Sequence, residues 1–146
     1  LRSALEEDRD LISVDEEVRF VKRYWDIERM RFDDRLTGTH DVQPAARDAL
    51  VPAFAIQTLI ENAVRHAVTP RVEPTTVDLL ARMHDGALEV VVRDSGGGAV
   101  PADTSGTGLK RLRERLQVLY AGKASLDVRS DERGVVATLR IPQTDA

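Results

Sequence analysis

The chain has 146 residues, of which 42 % are apolar, and its net charge of −4 comes from 21 basic and 25 acidic residues that are interspersed along the sequence. This size and apolar content suit a single globular domain with one core, and the mixed charges argue against non-specific binding to nucleic acid or to a membrane surface. The absence of cysteine excludes disulfides, thiol catalysis and cysteine-ligated zinc, and the longest nearly unbroken apolar run, residues 49–56, is far shorter than the roughly 20 residues of a membrane-spanning helix.

The first predicted element is a helix from Ser13 to about Phe32. Residues 13–16, SVDE, match the capping box that opens many helices, and apolar residues recur after it at helical spacing. Charged residues fill the positions between and predict a solvated outer face, whereas Trp25 is expected in the core. Residues 1–12 are interpreted as the end of a preceding helix and a linker. Because the chain begins at Leu1 without a methionine or a signal peptide, we expect a cytosolic piece of a longer protein.

A strand is predicted at residues 35–42, although Gly38 weakens it. An amphipathic helix at 53–67 is much clearer, with an apolar stripe at i, i+3 and i+4 spacing: Ile56, Leu59, Ile60, Ala63, Val64 and Ala67. Its polar residues off that stripe are Glu61, Asn62, Arg65 and His66.

The second half of the sequence predicts two antiparallel hairpins separated by a helix. Alternating strands at 76–83 and 88–94 flank Asp85-Gly86, a type I′ turn signal. A helix follows at 108–120 and ends before Gly122, and a last pair of strands spans 124–130 and 135–141. Helices segregated from hairpins predict an α+β fold, a two-layer sandwich whose mixed, mostly antiparallel sheet is covered by helices on one face.

Three polar features have spacing that suits a nucleotide. Glycines before a helix offer free N–H groups to phosphate, an aspartate at a strand end can accept a hydrogen bond from adenine, and an asparagine oxygen can bind Mg²⁺. These roles would fall to the 106–108 GTG turn, Asp94 and Asn62. Each feature also has an ordinary structural interpretation, as a turn, a strand-ending loop or a local hydrogen bond.

The order of these features resembles a known ATP-binding fold. Residues 60–66, IENAVRH, then Asp94-x-Gly96-x-Gly98, then Gly106-x-Gly108-Leu109 are similar to the asparagine box and the two glycine boxes of the Bergerat fold, which gyrase, MutL and histidine kinases share. The stretches IERMRFDDRL and GTGLKRLRERLQVLYAG further resemble the catalytic domains of LytS-like sensor histidine kinases. The resemblance extends over nearly the whole chain.

The resemblance implies a set of ATP-binding residues and a lid. In it Asn62 binds the Mg²⁺ that bridges the phosphates, Asp94 binds the adenine amine, and glycines flank a lid at 99–105. The implied nucleotide residues are Asn62, Arg65, His66, Asp94, Gly96, Gly98, Gly106, Thr107, Gly108 and Leu109. His66 can equally be a histidine at the margin of the apolar stripe. Glu61 is a catalytic candidate, or else a helix-surface partner of Arg65.

The sequence departs from the family pattern at several positions. Ser95 and Gly97 stand where relatives often have asparagine and proline, which predicts a looser turn, and Val135 replaces a threonine that supports a water-mediated adenine contact. Thr58 stands where the hydrolysing ATPases of the superfamily carry a glutamate, four residues before the asparagine. Without that base, transfer of phosphate to an incoming nucleophile is favoured over hydrolysis.

The resemblance therefore implies the ATP-binding catalytic domain of a two-component sensor histidine kinase. Residues 34–146 would form that domain, and residues 1–33 a linker and helix from an upstream dimerisation region. None of His40, His66 and His84 stands in a phosphoacceptor context, so the acceptor histidine is expected upstream. The expected partners are the dimerisation and phosphoacceptor domain and the receiver domain of a response regulator, with no nucleic acid and no direct membrane contact.

Further expectations concern the parent protein and the alternatives. The parent is expected to be a cytoplasmic homodimer, with anchoring in the inner membrane left open. One alternative is a serine kinase of the anti-sigma-factor type, which the two LytS-like stretches disfavour. The other is a degenerate nucleotide-binding module that only docks partners, for which Val135 and the altered glycine box would account.

Overall fold

A computed structural model describes residues 10–69, 73–96 and 107–143, which form three α-helices and eight strands besides shorter 3-10 and π-helical turns. The helices are α1 (Val14–Phe32), α2 (Ala55–Ala63) and α3 (Thr107–Tyr120). The strands are β1 (Leu11–Ser13), β2 (Leu36–Thr37), β3 (His40–Val42), β4 (Leu50–Pro52), β5 (Thr75–His84), β6 (Ala87–Asp94), β7 (Ser125–Asp131) and β8 (Gly134–Pro142). None of the helices in these ranges combines the length and the apolar character needed to cross a membrane.

The main sheet is mixed and mostly antiparallel, as the sequence predicts. Its strand order is β2-β5-β6-β8-β7, and β3 pairs with β5 beyond the end of β2. The two short strands run parallel to β5, whereas the β5–β6, β6–β8 and β7–β8 pairs are antiparallel. The predicted α+β class is confirmed.

One face of the sheet and the three helices share a single core. Alternate residues of β5, β6 and β8 point into it, and the apolar stripes of α1, α2 and α3 cover them. Trp25 of α1 is 7 % exposed, as expected for a core residue. On the opposite face Glu89 forms ion pairs with Arg82 at 2.7 Å and Arg140 at 3.5 Å.

The predicted turn between β5 and β6 is confirmed. Asp85 and Gly86 both have positive φ, 51° and 76°, as a type I′ turn requires. Pairing runs without a break from His84–Ala87 to Val77–Asp94. The hairpin therefore carries Asp94 to the end of the sheet opposite the turn.

The strand predicted at 35–42 is in fact two strands that separate at Gly38. A Cβ atom at Gly38 would lie 1.8 Å from the Val77 carbonyl oxygen, so the backbones approach too closely for any side chain. Beyond this approach the Thr39 N–H donates to Asp78 Oδ1 at 2.8 Å, and pairing with β5 resumes at His40. At Gly38 the chain thus passes from β2 to β3.

The predictions of a linker at residues 11–12 and of helix at residues 53–54 were wrong. Residues 11–13 form β1, which pairs antiparallel with β4, from Leu11–Pro52 to Ser13–Leu50. Pro52 therefore ends a strand, and the helix begins only at Ala55. After Ala63 the helix widens into a π-helical turn, Val64–Val68.

The predicted solvated face of α1 has one exception. Glu17 is 0 % exposed, although it stands among charged residues in the sequence. Its carboxylate accepts hydrogen bonds from the N–H groups of Phe54, Ile56 and Gln57, at 2.8, 3.0 and 3.1 Å. A tertiary contact at the start of α2 thus buries a residue that local pattern assigns to the surface.

Candidate functional site

Helix α2 lies between the two glycine-bearing segments. On one side of Asn62, a Cβ built at Gly108, in the first turn of α3, would lie 3.5 Å from Thr58 Cγ2. On the other side, a Cβ at Gly96 would lie 2.7 Å from Ala67 Cβ. Thr58 precedes Asn62 by one turn, and Ala67, in the π-helical turn that continues α2, follows it by slightly more than one turn. The start of α3 and the Asp94 turn therefore contact α2 and its π-helical continuation on either side of Asn62.

The Asp94 turn is held in place by hydrogen bonds. Asp94 is 4 % exposed, and its Oδ1 accepts from the Gly96 N–H at 2.9 Å and the Val135 N–H at 3.4 Å. Ser95 donates its N–H to the Thr76 carbonyl at 3.0 Å, and its Oγ accepts the Thr76 N–H at 2.8 Å. The turn through Gly96 is therefore firmly tied to β5 and β8, contrary to the looser turn expected from Ser95.

Gly134 explains how β8 reaches this turn. Its φ is +139°, and a Cβ there would lie 1.8 Å from the Asp94 carbonyl oxygen. Only a glycine permits this approach. The backbone of Val135 is thereby placed against the Asp94 carboxylate, whatever side chain position 135 carries.

Asn62 on α2 and His66 on the π-helical turn that follows it are both half-buried. The Asn62 side chain forms no hydrogen bond with any of the described residues. No group of three or more His, Asp or Glu side chains within the described ranges could hold a metal ion on its own. A cation at Asn62 would thus need further ligands from a bound molecule and from water.

Glu61 and Arg65 line a separate cleft between α1 and α2. This cleft, about 450 Å³, is lined by Tyr24, Glu28, Arg31, Glu61, Val64, Arg65 and Thr69. Burial raises the pKa of Tyr24, and the charges of Glu28 and Glu61 raise it further. Gln57 Nε2 donates to Glu61 Oε1 at 2.8 Å, which orients this carboxylate along its own helix. The catalytic role of Glu61 and the phosphate contact of Arg65 stay predictions.

The remaining predicted residues divide into two groups. Gly98, Gly106 and the lid at 99–105 lie outside the described residues. Thr107 opens α3, and Leu109 in the same turn is 3 % exposed within the core, so only its backbone can face a ligand. Their nucleotide contacts stay predictions.

Sequence reasoning missed the corner where α2 begins. Phe54 has a left-handed φ of 69°, offers no side-chain cap and is 57 % exposed. Arg115 of α3 donates hydrogen bonds to the Ala53 and Asp10 carbonyl oxygens. Between α2 and α3 lies a small cleft of about 210 Å³, lined by Phe54, Ala55, Thr58, Gly108, Arg111, Leu112 and Arg115. No local pattern marks these contacts, because their partners are distant in sequence.

Comparisons with known proteins identify relatives of the chain. The family model described as histidine kinase matches residues 1–36. Sensor histidine kinase YesM of Bacillus subtilis (strain 168) is 30 % identical over 148 residues, which cover 97 % of this chain and 26 % of YesM. Sensor protein LytS of Staphylococcus haemolyticus is 33 % identical over 144 residues, which cover 90 % of this chain and 25 % of LytS. The chain thus spans about a quarter of the length of these relatives.

Solved structures share the fold. The catalytic domain of histidine kinase ThkA, in a nucleotide-free form, superimposes with a TM-score of 0.71 at 16 % identity, over 92 % of this chain and 96 % of that one. ThkA in complex with the response regulator protein TrrA matches with a TM-score of 0.65 at 16 % identity, over 92 % of this chain and 41 % of that one. At this identity the likeness establishes the fold and nothing finer.

Proposed function

Since this chain is homologous to the LytS and YesM sensor histidine kinases, we propose that it is an ATP-binding catalytic domain of that kind. In this proposal it binds ATP with Mg²⁺ and presents the γ-phosphate to a histidine outside the chain. The observation that supports it best is the arrangement along α2, where the start of α3 and the Asp94 turn meet on either side of Asn62.

The described residues suit the two ends of an adenine nucleotide. The Asp94 carboxylate is fixed by the Gly96 and Val135 N–H groups, so it is oriented before a base arrives. At the other end, α3 begins beside Thr58, and its first N–H groups and dipole favour phosphate. The Asp94 turn would therefore bind the adenine, and the α3 start the phosphates.

The Asn62 side chain fits a cation that is bound chiefly by the nucleotide. Mg²⁺ usually takes one or two protein oxygens and completes its shell with phosphates and water. Asn62 supplies one amide oxygen that no described residue occupies. When bound, Mg²⁺ would neutralise phosphate charge. We therefore expect Mg²⁺ to bind this chain with ATP and not alone.

Thr58 supports phosphotransfer over hydrolysis. Its hydroxyl donates to the Phe54 carbonyl oxygen at 2.8 Å and is thus turned back onto its own helix. It is no base for activating water. Phosphoryl transfer depends mainly on alignment and charge neutralisation, which Asn62 and the α3 start would supply to an external nucleophile.

We place the acceptor histidine and the receiver domain outside this chain. His40 lies against Trp25 with ring centroids 4.7 Å apart, and His84 ends β5 beside the hairpin turn. His84 thus lies at the end of the hairpin opposite Asp94. The receiver domain is proposed by analogy with ThkA, which was solved in complex with the response regulator protein TrrA.

Calorimetric titration tests the nucleotide site. The chain should bind ATP with Mg²⁺, and Asn62→Ala should weaken this binding strongly while leaving metal-free binding nearly unchanged. Asn62→Ala with the same Mg²⁺-dependent affinity as the unmodified chain would remove the proposal.

A second experiment separates the kinase classes. We would join the chain to the dimerisation segment that precedes it in its parent protein and supply labelled ATP. A histidine kinase yields phosphate that is labile in acid and stable in base, whereas a serine kinase yields acid-stable phosphate. Nucleotide binding without transfer in either form would favour the docking module.

A further inference from the structure

We propose that Glu17 is a positioning residue, through which α1 sets the position of the nucleotide-contacting helix α2 and of the start of α3. This inference rests on the proposed function, because it concerns the placement of Asn62 and Gly108. It assigns a role to a carboxylate that touches neither nucleotide nor metal. We call residues 53–57, the backbone corner at the start of α2, the α2 corner.

Glu17 replaces the cap that α2 lacks. The residue at the N-cap position is Phe54, whose side chain makes no capping hydrogen bond, and the first turn of α2 contains no acidic residue. The Glu17 carboxylate instead takes up three N–H groups of the α2 corner, with Oε1 on Phe54 and Oε2 on Ile56 and Gln57. Because both oxygens are bound, the carboxylate fixes the axial position and the rotation of α2.

The same corner is connected to the start of α3. The Phe54 carbonyl oxygen accepts the Thr58 N–H at 2.9 Å and the Thr58 hydroxyl at 2.8 Å. The γ-methyl group of Thr58 faces Gly108, at a distance of 3.5 Å from a Cβ built there. A continuous series of contacts therefore runs from Glu17 through Phe54 and Thr58 to Gly108 in the first turn of α3.

Arg115 of α3 also forms hydrogen bonds at the α2 corner. Its guanidinium donates to the Ala53 carbonyl oxygen and to the Asp10 carbonyl oxygen, the latter at 3.1 Å. The positive charge of Arg115 also acts on the Glu17 carboxylate. All three helices thus meet at the α2 corner.

A rigid helix connects the α2 corner with Asn62. Asn62 lies in the same uninterrupted helix, which runs from Ala55 to Ala63. A shift of the first turn is therefore carried to Asn62, about two turns further along. Asn62 and the start of α3 would both respond to the position of Glu17, and through it to the position of α1.

Glu17→Gln is the variant that tests this role. Glutamine has the same shape, but its amide nitrogen donates and cannot accept, so at least one N–H of the α2 corner loses its partner. We expect the affinity for ATP with Mg²⁺ to fall about tenfold, as it does when residues that orient a metal ligand without binding the metal are replaced. The affinity measured in EDTA should fall less, because Asn62 acts only through Mg²⁺ and the start of α3, which would contact phosphate directly, is displaced only through Thr58.

Two controls separate positioning from stability. Glu16→Gln makes the same chemical change on an exposed neighbour. Ile141→Val or Ile141→Ala, whichever has the melting temperature closest to that of Glu17→Gln, lowers stability at the far end of β8. Both controls should bind ATP with Mg²⁺ as the unmodified chain does. If Glu17→Gln does not fold, Arg115→Gln replaces it and should show the same loss, larger with Mg²⁺ than in EDTA.

Each outcome decides a different claim. Normal binding by a folded Glu17→Gln, or an equal loss in the Ile141 control, overturns the positioning role and leaves the proposed function standing. If Arg115→Gln serves as the test, normal binding by that variant overturns the role in the same way. Absence of nucleotide binding by the unmodified chain overturns both.

Discussion

At the scale of single residues, Gly134 connects the core strand β8 with the Asp94 turn. Its φ of +139° and the 1.8 Å between a built Cβ and the Asp94 carbonyl oxygen leave no room for a side chain. We expect Gly134→Ala to lower the free energy of unfolding by about 3 kcal/mol, because strain at this φ adds to a backbone clash. Urea denaturation of the two proteins measures this difference in the free energy of unfolding.

Gly122→Ala is the matched control for Gly134→Ala. Gly122 also has a positive φ, +88°, but a Cβ there meets nothing within 4 Å. Strain alone should cost about 1 kcal/mol. Equal losses in the two variants would show that β8 does not approach Asp94 as described.

His40 should make the stability of the fold depend on pH. Burial lowers its pKa from the ordinary 6.5, and so does Lys22, while Asp26 and Asp78 act in the opposite direction. Its Nε2 is buried without a hydrogen-bond partner among the described residues. Since the unfolded chain binds the proton more readily, the contribution of neutral His40 is complete above the unfolded pKa and is lost as the pH falls towards the lower folded pKa.

His40→Phe isolates this contribution. Phenylalanine can keep an aromatic contact with Trp25 but does not titrate. Between about pH 7.5 and about pH 5.5, the melting temperature of the unmodified chain should fall more than that of His40→Phe. Burial raises the pKa of Glu17 against its backbone hydrogen bonds, with the opposite effect on stability, but this is common to both proteins. Parallel melting curves across this range would contradict the prediction.

At the scale of elements, the capping box at the start of α1 is confirmed in its main contact. Ser13 Oγ accepts the Glu16 N–H at 3.1 Å. We expect Ser13→Ala to lower the free energy of unfolding by about 1 kcal/mol, and Ser13→Thr to retain most of it. Chemical denaturation distinguishes the two variants. An unchanged free energy of unfolding in Ser13→Ala would mean that other contacts, such as the hydrogen bonds from the Val14 and Asp15 N–H groups to the Ala49 and Arg47 carbonyl oxygens, hold this end.

Elements with local signals could be predicted from the sequence. The stripe of α2, the Asp85-Gly86 turn and the end of α3 before Gly122 all depend on residues within one or two turns of each other. The strands β1 and β4 have three residues each, too few for an alternating pattern, and within the described ranges each pairs with the other alone, across a long separation in sequence. Gly38 likewise depends on Val77, which no local pattern reveals.

The residues of the candidate site likewise divide into those that sequence motifs predict and those that depend on distant partners. Asn62, Asp94 and Gly108 follow from spaced motifs. The structure places Gly108 and the Asp94 turn against the helix on either side of Asn62, and the nucleotide contacts of these residues stay predictions. Glu17 was missed because its neighbours in sequence are charged, whereas its partners lie at the start of another helix. A buried carboxylate of this kind is visible only after the helices have been packed together.

At the scale of the whole molecule, two regions border α2 and its π-helical continuation. The first is formed by the start of α3 and the Asp94 turn, which contact this helix on either side of Asn62, and the second is the cleft lined by Tyr24, Glu28 and Arg31 of α1. The proposed function requires nucleotide in the first region. Glu61 and Arg65, which the family resemblance brought into the site, line the second.

Amide chemical-shift mapping by NMR, with a non-hydrolysable ATP analogue and Mg²⁺, shows most directly which of these two regions binds the nucleotide. We expect the largest shifts at Asn62, Gly96 and Gly108, with Tyr24 and Glu28 little changed. Shifts centred on Tyr24, Glu28 and Arg65, with Gly96 and Gly108 unmoved, would contradict the central claim that the nucleotide lies between the Asp94 turn and the start of α3.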